Sequence, residues 1–294
     1  MKEYKNIVMV FTLITLSGMD FGCTDNPFWT DEAISAGPRH ISGTVSLSDG
    51  LNPKGTVVWL DGFGIGSRAD EAGRFLITLP PAASQGLMGV SGVFDLYFYI
   101  ANYRVAYSKV VVRNGLFCYG SGDINKDGEL YGEKRLDKLL TITTEADPAE
   151  VDTGFVGLIR VDITLQAKTD MIVPVAFPNM GETRIGNVFF RNIETDSVCI
   201  WPTSAFGMIP TSGFLVGRQP CLVRMFFHLR ANVYPEGYYE IIPFLLVIQE
   251  GVPPELMASL GDGVEKLGLE YLKIPFKRER GWFQIRYGNG DHSR

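Results

Sequence analysis

The stretch ISGTVSLSDGLNPKGTVVWLDGFGIGSRADEAGRFLITLP, residues 41–80, alternates short apolar runs with turn-forming segments, and it decides the fold. In ISGTVSL the apolar and small side chains occupy every second position, which is the period of a half-buried β-strand. The intervening segments are rich in Gly, Pro, Asp and Asn, which favour turns. Similar runs follow at residues 94–103 and 109–115. Five strands at this spacing predict an antiparallel β-sandwich over residues 38–115.

The residues of this stretch resemble a known family. The order I-S-G-T-V, then Pro-x-Gly before V-V-W-L, then A-D-E-A-G-R-F before L-I-T-L-P is similar to the carboxypeptidase regulatory-like domain, over about residues 40–115. Its most specific piece begins at Asp70, where Gly73 permits a positive φ and Phe75 enters the core. The resemblance implies a small transthyretin-like β-sandwich that is appended to secreted and surface proteins and is not itself catalytic.

The second half of the chain predicts another sandwich. Short apolar runs such as GLIRVDITLQA and CLVRMFFHLRANV recur over residues 150–290 and are broken by Pro, Gly and Asn. One segment, at residues 253–275, has roughly helical spacing interrupted by Gly261 and Gly263. We therefore predict an all-β chain of two antiparallel β-sandwich domains in tandem, Ig-like or transthyretin-like, joined by residues 116–149.

Composition and charge exclude some classes of protein. Apolar residues make up 46% of the 294 and charged residues 20%, which is typical of a globular chain. The formal net charge of −6 offers no general basic surface to a phosphate backbone. Nucleic acid is therefore not expected as a partner.

The start of the chain has the layout of a secretory signal. Lys2 and Lys5 precede an apolar run over residues 7–16 that is too short to span a bilayer comfortably, and small residues follow up to Gly22. We therefore exclude residues 1–22 from the fold.

Cys23 comes directly after this segment, an arrangement that resembles the signal of bacterial lipoproteins. The resemblance implies removal of residues 1–22, lipid on Cys23 and a tether over residues 23–37. It predicts that the protein is exported and anchored in a membrane of the bacterial cell envelope. The outer membrane is one candidate for that membrane. A soluble exported protein with Cys23 in a disulfide and an uncleaved membrane anchor are the alternatives.

The three remaining cysteines, Cys118, Cys199 and Cys221, allow one disulfide at most if Cys23 carries lipid. Cys199 and Cys221 each lie in a strand-like apolar run, so a bridge between neighbouring strands is the favoured pairing. The equal alternative is that all three are small buried side chains. No CxxC pair is present, so structural zinc is not indicated.

The string GDINKDGELYGEK, residues 122–134, follows the first half of an EF-hand-type calcium loop. Its candidate calcium ligands are Asp123, Asn125, Asp127, Glu129 and Glu133. Lys134 stands where such a loop places a bidentate acid. The alternative is a solvated turn, since Asp, Asn and Gly form turns without a metal ion.

Catalytic motifs are missing from the sequence: it contains no HExxH, GxSxG, SxxK or phosphate loop. Of its three histidines, His228 lies among strand residues and is predicted to be structural. We therefore expect no enzyme but a cell-envelope lipoprotein that acts as a non-catalytic binding or scaffolding module for a protein or glycan ligand. Trp201 and Trp282 are candidate stacking residues in loops, although core packing is the preferred interpretation of each. A hydrolase with its site in the C-terminal half, or an accessory or inhibitory subunit of a surface complex, are the alternatives.

Overall fold

A computed structural model describes residues 38–86, 89–177, 185–205, 214–279 and 281–287. β-strands are the main regular structure of these residues, so the chain is all-β, as its sequence predicted. The predicted signal, Cys23 and the tether lie outside the described residues. No helix in this part of the chain is long and apolar enough to cross a bilayer.

The elements are numbered in chain order. They are β1 (His40–Leu47), β2 (Val57–Leu60), β3 (Ile65–Arg68), β4 (Arg74–Thr78), β5 (Gly92–Tyr99), β6 (Ala106–Arg113), β7 (Leu116–Phe117), β8 (Lys134–Leu136), β9 (Leu140–Asp147), β10 (Glu150–Asp152), β11 (Gly157–Ala167), β12 (Val173–Ala176), β13 (Ile185–Asn192), β14 (Val198–Ala205), β15 (Phe214–Val216), β16 (Cys221–Leu229), β17 (Gly237–Pro243), β18 (Leu246–Val247), α1 (Pro254–Leu260) and β19 (Gly281–Arg286). Short 3-10 turns lie at Ala82–Gln85 and Leu269–Lys273.

The first sandwich packs two sheets face to face, in the strand orders β4-β1-β8 and β3-β2-β5-β6-β7. Alternate side chains of both sheets, among them Ile41, Phe98 and Val110, enter one core. The strands pair antiparallel except for β8, which runs parallel to β1. The turn before β4 is built as predicted, because Gly73 has φ +78° and Phe75 is buried.

The segment expected to join the two sandwiches contributes a strand to each. β8 extends the sheet of β1, and β9 lies at the edge of the large sheet of the second half. The first sandwich therefore continues to Leu136, and the second begins at Leu140 instead of residue 150.

The second half is built on eight strands in the order β10-β19-β17-β13-β14-β16-β11-β9, packed against the three-stranded sheet β15-β12-β18. Along β11 the side chains of Ile159, Val161, Ile163 and Leu165 are all buried, which is the period-two pattern of a strand with one face in the core. The two edge strands, β9 and β10, follow each other directly in the chain, and the N–H of Glu279, just before β19, donates to the carbonyl oxygen of Ile142 in β9 at 3.0 Å. The sheet therefore wraps around its own core.

The two halves share a third core, and the chain from Pro38 onward forms one compact unit. Trp59 and Tyr99, on the outer face of the first sandwich, belong to the same buried cluster as Phe189 of β13 and Leu256 of α1. The fully buried Asn102 fastens this contact.

Asn102 forms hydrogen bonds with both ends of the second half. Its Nδ2 donates to the carbonyl oxygens of Leu140 at 3.0 Å and Lys277 at 2.6 Å. Its Oδ1 accepts the backbone N–H of Lys277 at 3.0 Å. The segment around Lys277 is therefore fixed against the first sandwich.

Candidate functional site

The loop predicted to hold calcium is closed by its own backbone. Asn125 Oδ1 accepts the N–H groups of Asp127 at 2.8 Å and Glu129 at 2.9 Å. Because Asn125 has only this one side-chain oxygen, both of its lone pairs are used. Asp123 Oδ2 accepts the N–H of Lys109 in β6 at 2.8 Å, which ties the loop to the first sandwich.

The side chains predicted as calcium ligands are not gathered into one cluster in this arrangement. Over the residues described above, no three Asp, Glu, His or Cys side chains gather in a group that could hold a metal ion. The carboxylates predicted as ligands, at Asp123, Asp127, Glu129 and Glu133, do not form such a group. Gly128 has φ +84° and packs against the ring of Tyr119, so the glycine serves the turn.

The predicted disulfide between Cys199 and Cys221 is corrected by the register of their strands. β14 and β16 pair antiparallel, with Ser204 opposite Phe226. Cys199 lies five residues before Ser204, and Cys221 lies five residues before Phe226. Because the strands run antiparallel, the two offsets point in opposite directions and add up. The cysteines are therefore roughly 33 Å apart, at about 3.3 Å per residue. A disulfide needs Cα atoms less than about 7 Å apart. Both thiols, and that of Cys118, are free.

The two tryptophans proposed as stacking residues lie on strands, not in loops. Trp201 of β14 packs against the core, with its ring centroid 5.2 Å from that of Tyr234 and 6.0 Å from that of Phe227. Trp282 of β19 is 42% exposed on the outer face of the sheet. They point to opposite faces and do not form one site.

The structure instead contains a groove of about 620 Å³ where a loop of the first sandwich meets the outer face of the large sheet. We call it the junction groove. Its lining comes from three separate parts of the chain: Leu51 and Asn52; Arg191, Asp196, Val198, Glu240 and Ile242; and Leu272, Ile274, Phe276, Lys277 and Arg278.

The acidic side chains of the junction groove are paired with Arg191. Arg191 Nε lies 2.5 Å from Asp196 Oδ1, and its Nη1 lies 3.9 Å from Glu240 Oε2. Lys277 Nζ donates to the backbone oxygen of Lys54 at 2.8 Å, and burial lowers the pKa of its ammonium group. With three cations and two acids in the lining, the groove has one positive charge in excess.

Lys277 and Arg278 are the two cations of the lining that form no ion pair among the described residues, and Arg278 is half-buried. Its guanidinium carbon lies 4.3 Å from the ring centroid of Phe276 and 5.5 Å from that of Tyr271. Its Nη2 donates to the Tyr271 hydroxyl at 3.2 Å, and its buried Nε has no hydrogen-bond partner. None of the ion pairs found among the described residues includes Arg278.

Tyr271 holds Arg278 in place. The fully buried Tyr271 hydroxyl donates to the carbonyl oxygen of Leu245 at 2.8 Å and accepts the N–H of Leu245 at 3.3 Å. Sequence reasoning missed Arg278, because it lies in the charged run KRER at residues 277–280 and such runs are usually solvated. The fold shows that Arg278 forms no ion pair among the described residues.

No family model matches the chain, and no curated protein matches it. Solved structures with some similarity include the alkylpurine DNA glycosylase AlkC of Pseudomonas fluorescens, at 12% identity and a TM-score of 0.25, over 50% of this chain and 30% of that one. BcpA, the major pilin subunit of Bacillus cereus, is similar at 14% identity and a TM-score of 0.26, over 69% of this chain and 63% of that one. This chain thus spans less than two thirds of the length of either. Likenesses this weak carry no argument about family or activity.

Proposed function

We propose that the protein is an exported, lipid-anchored binding module of the bacterial cell envelope, and that the junction groove receives a protein or glycan ligand without transforming it. The observation that carries the proposal is the half-buried Arg278, which forms no ion pair among the described residues, in a groove where Arg191 is paired with both acids and Lys277 donates to a backbone oxygen. A guanidinium that is partly withdrawn from water and has no carboxylate partner is stabilised when an anionic ligand binds to its accessible N–H groups.

The framework of the groove supports a role in binding. Its walls belong to a loop of the first sandwich, to the large sheet and to a segment that Asn102 fastens, so little chain has to be ordered when a ligand arrives. A preformed site of this kind keeps the entropic cost of binding low. The layout of residues 1–23 supports export and the lipid anchor.

Cell fractionation tests the anchor. We expect the full chain in the membrane fraction and the Cys23→Ala variant in the soluble fraction, because the substitution removes the only lipid. Cys221→Ala, which leaves the signal intact, is the control and should remain with the membrane. Identical fractionation of the two variants would remove the anchor from the proposal.

Filling the junction groove tests the binding role. Leu51, 47% exposed, lines the groove, so Leu51→Trp should occupy it without disturbing a core. Leu222, 53% exposed on β16, does not line the groove, which makes Leu222→Trp the matched control. A ligand that binds the native state raises the unfolding midpoint by mass action.

We therefore expect that, in a panel of peptides and oligosaccharides from the cell envelope, at least one raises the midpoint of the wild type and of Leu222→Trp but not of Leu51→Trp. A panel that moves no midpoint, or only midpoints that Leu51→Trp leaves unchanged, would overturn the proposal.

A further inference from the structure

The chemistry of Arg278 narrows the class of ligand. Its Nη2 bonds a neutral hydroxyl, its Nε bonds nothing, and no acid pairs with it in the described part of the chain. A planar guanidinium matches a carboxylate through two parallel N–H···O bonds. Stacking on Phe276 fixes the plane of the guanidinium before the ligand arrives.

The charge of the junction groove matches a single negative charge. The lining carries three cations and two acids, so its net charge is one positive. Arg191 is paired with both acids and Lys277 donates to the carbonyl oxygen of Lys54, so Arg278 is the cation whose donors we assign to an anion. A phosphate dianion would be only half neutralised there, and the nearby carboxylates of Asp196 and Glu240 would repel it. A carboxylate monoanion is the better match.

Apart from Asn52, the uncharged part of the lining is apolar. Leu51, Ile242, Leu272 and Ile274 present hydrocarbon surface beside Arg278. A sugar ring placed on this surface would bury hydroxyl groups that have no hydrogen-bond partners, which is unfavourable. An aliphatic side chain would bury only apolar surface, which is favourable. The apolar surface therefore favours a peptide over an acidic sugar.

We propose that the junction groove binds the C-terminal carboxylate of a peptide whose last side chain is aliphatic, with Arg278 holding the carboxylate. This inference rests on the proposed binding role and names its ligand. Capture of a terminal carboxylate together with the adjacent side chain is an established mode of peptide recognition.

The test is isothermal titration of the full chain in detergent with acetyl-Ala-Ala-Leu as free acid and as C-terminal amide. We expect the acid to bind at least about tenfold more tightly than the amide, since a hydrogen-bonded charge pair is lost with the amide. Arg278→Gln should reduce the affinity for the acid to that for the amide. Arg278→Lys should recover part of it, because an ammonium group keeps the charge but not the paired geometry.

Arg286→Gln is the control variant, because Arg286 pairs with Glu150 and does not line the groove. Its affinity for the acid should equal that of the wild type. Unfolding midpoints of all variants identify any loss of folding, and Leu51→Trp in the folded state provides a second way to block the site. Equal affinities for acid and amide, unchanged binding by folded Arg278→Gln, or no binding of the acid at millimolar concentration would each overturn the inference. A ligand of another class that Leu51→Trp excludes but Arg278→Gln does not would refute the carboxylate site and leave the binding module standing.

Discussion

Asn125 organises the loop over residues 122–134 through one side-chain oxygen. That oxygen accepts two backbone N–H groups, at 2.8 and 2.9 Å, and so holds the chain in the turn that precedes β8. The backbone N–H of Leu130 in the same loop donates to the carbonyl oxygen of Ser42 in β1 at 2.9 Å. The loop is therefore part of the first sandwich at the level of individual hydrogen bonds.

Replacing Asn125 should lower the free energy of unfolding. Calcium should leave the unfolding midpoint of the protein unchanged. Asn125→Ala removes two hydrogen bonds, each with a net value of about 0.5 to 1.5 kcal/mol, so we expect a loss of about 1 to 3 kcal/mol in the free energy of unfolding. Asp127→Ala is the control, because that side chain is exposed. Urea unfolding with millimolar calcium or excess chelator measures both effects. A calcium-dependent rise in the midpoint that disappears in the Asp123→Ala, Asp127→Ala double variant would show that the loop rearranges around a cation.

The sequence identifies this loop but not its chemistry. Alternating Asp and Asn before Gly128 are the side chains of calcium loops and also of hydrogen-bonded turns. A calcium loop differs from a hydrogen-bonded turn in whether the side-chain oxygens accept backbone N–H groups or bind the ion. Which N–H groups reach those oxygens depends on how the loop lies against Lys109 and Ser42, which the local sequence does not reveal. The turn at Gly73 is predictable because it is local: an added Cβ there would lie 2.0 Å from the oxygen of Val45.

At the scale of elements, β11 and β16 form the longest pairing in the large sheet, from Gly157 opposite Leu229 to Leu165 opposite Cys221. The alternation along each strand is visible in the sequence, and the prediction of strands here is confirmed. The pairing partners of these strands are not visible in the sequence. β16 also pairs with β14, through residues that are 20 and 22 positions apart in the chain. The predicted bridge between Cys199 and Cys221 failed for this reason: it assumed a register that only the folded sheet defines.

Through the carboxyl group of Asp162, the stability of the β11–β16 pairing depends on pH. Arg224 donates to both of its carboxylate oxygens, at 2.8 and 3.0 Å, and Arg160 Nε lies 3.3 Å from Oδ2. The hydrogen bond from Arg224 is the main cause that lowers the pKa of Asp162. A carboxyl whose pKa is lower in the folded state stabilises the protein above its unfolded pKa of about 3.9, and this contribution is lost as the pH falls through the folded value.

Asp162→Asn should therefore cost about 1 kcal/mol in the free energy of unfolding at pH 7, and the difference from the wild type should shrink below about pH 4. The control is Asp147→Asn, because the Asp147 side chain is 63% exposed and its one ion pair among the described residues is with Arg160, so its cost should stay below about 0.5 kcal/mol. Urea unfolding at a series of pH values measures both. A cost for Asp162→Asn that is the same at pH 3 and pH 7 would contradict this account.

At the scale of the whole molecule, the apolar residues that join the two halves are the feature least visible in the sequence. The first sandwich and the all-β class follow from local alternation, but the pattern predicts nothing about which outer faces are covered. Trp59 and Tyr99 are buried because Phe189, Leu256 and Tyr271 lie over them. The junction groove lies where the same two halves meet, so the local alternation in the sequence does not predict it either.

This shared core predicts that the two sandwiches unfold together. Leu256 is fully buried in the cluster between them, so Leu256→Ala should cost about 2 to 5 kcal/mol and should shift both halves. Ile77 is buried in the core of the first sandwich alone, so Ile77→Ala is the variant matched to Leu256→Ala. Hydrogen exchange at increasing urea concentration, followed on peptides from β5 and β6 and from β11 and β16, reports each half separately.

In one cooperative unit every substitution lowers the protection of both sets of peptides at the same urea concentration, wherever the residue lies. In two independent domains Ile77→Ala would lower the midpoint of β5 and β6 and leave that of β11 and β16 in place. That outcome would mean that the cluster around Tyr271 is a contact between separately stable domains. The junction groove would then open and close with their relative motion, and the affinity of any ligand in it would depend on how often the two halves are in contact. Coincident midpoints in the wild type and both variants would instead make the groove a fixed feature of a single folded unit, with Arg278 held in position before any ligand arrives.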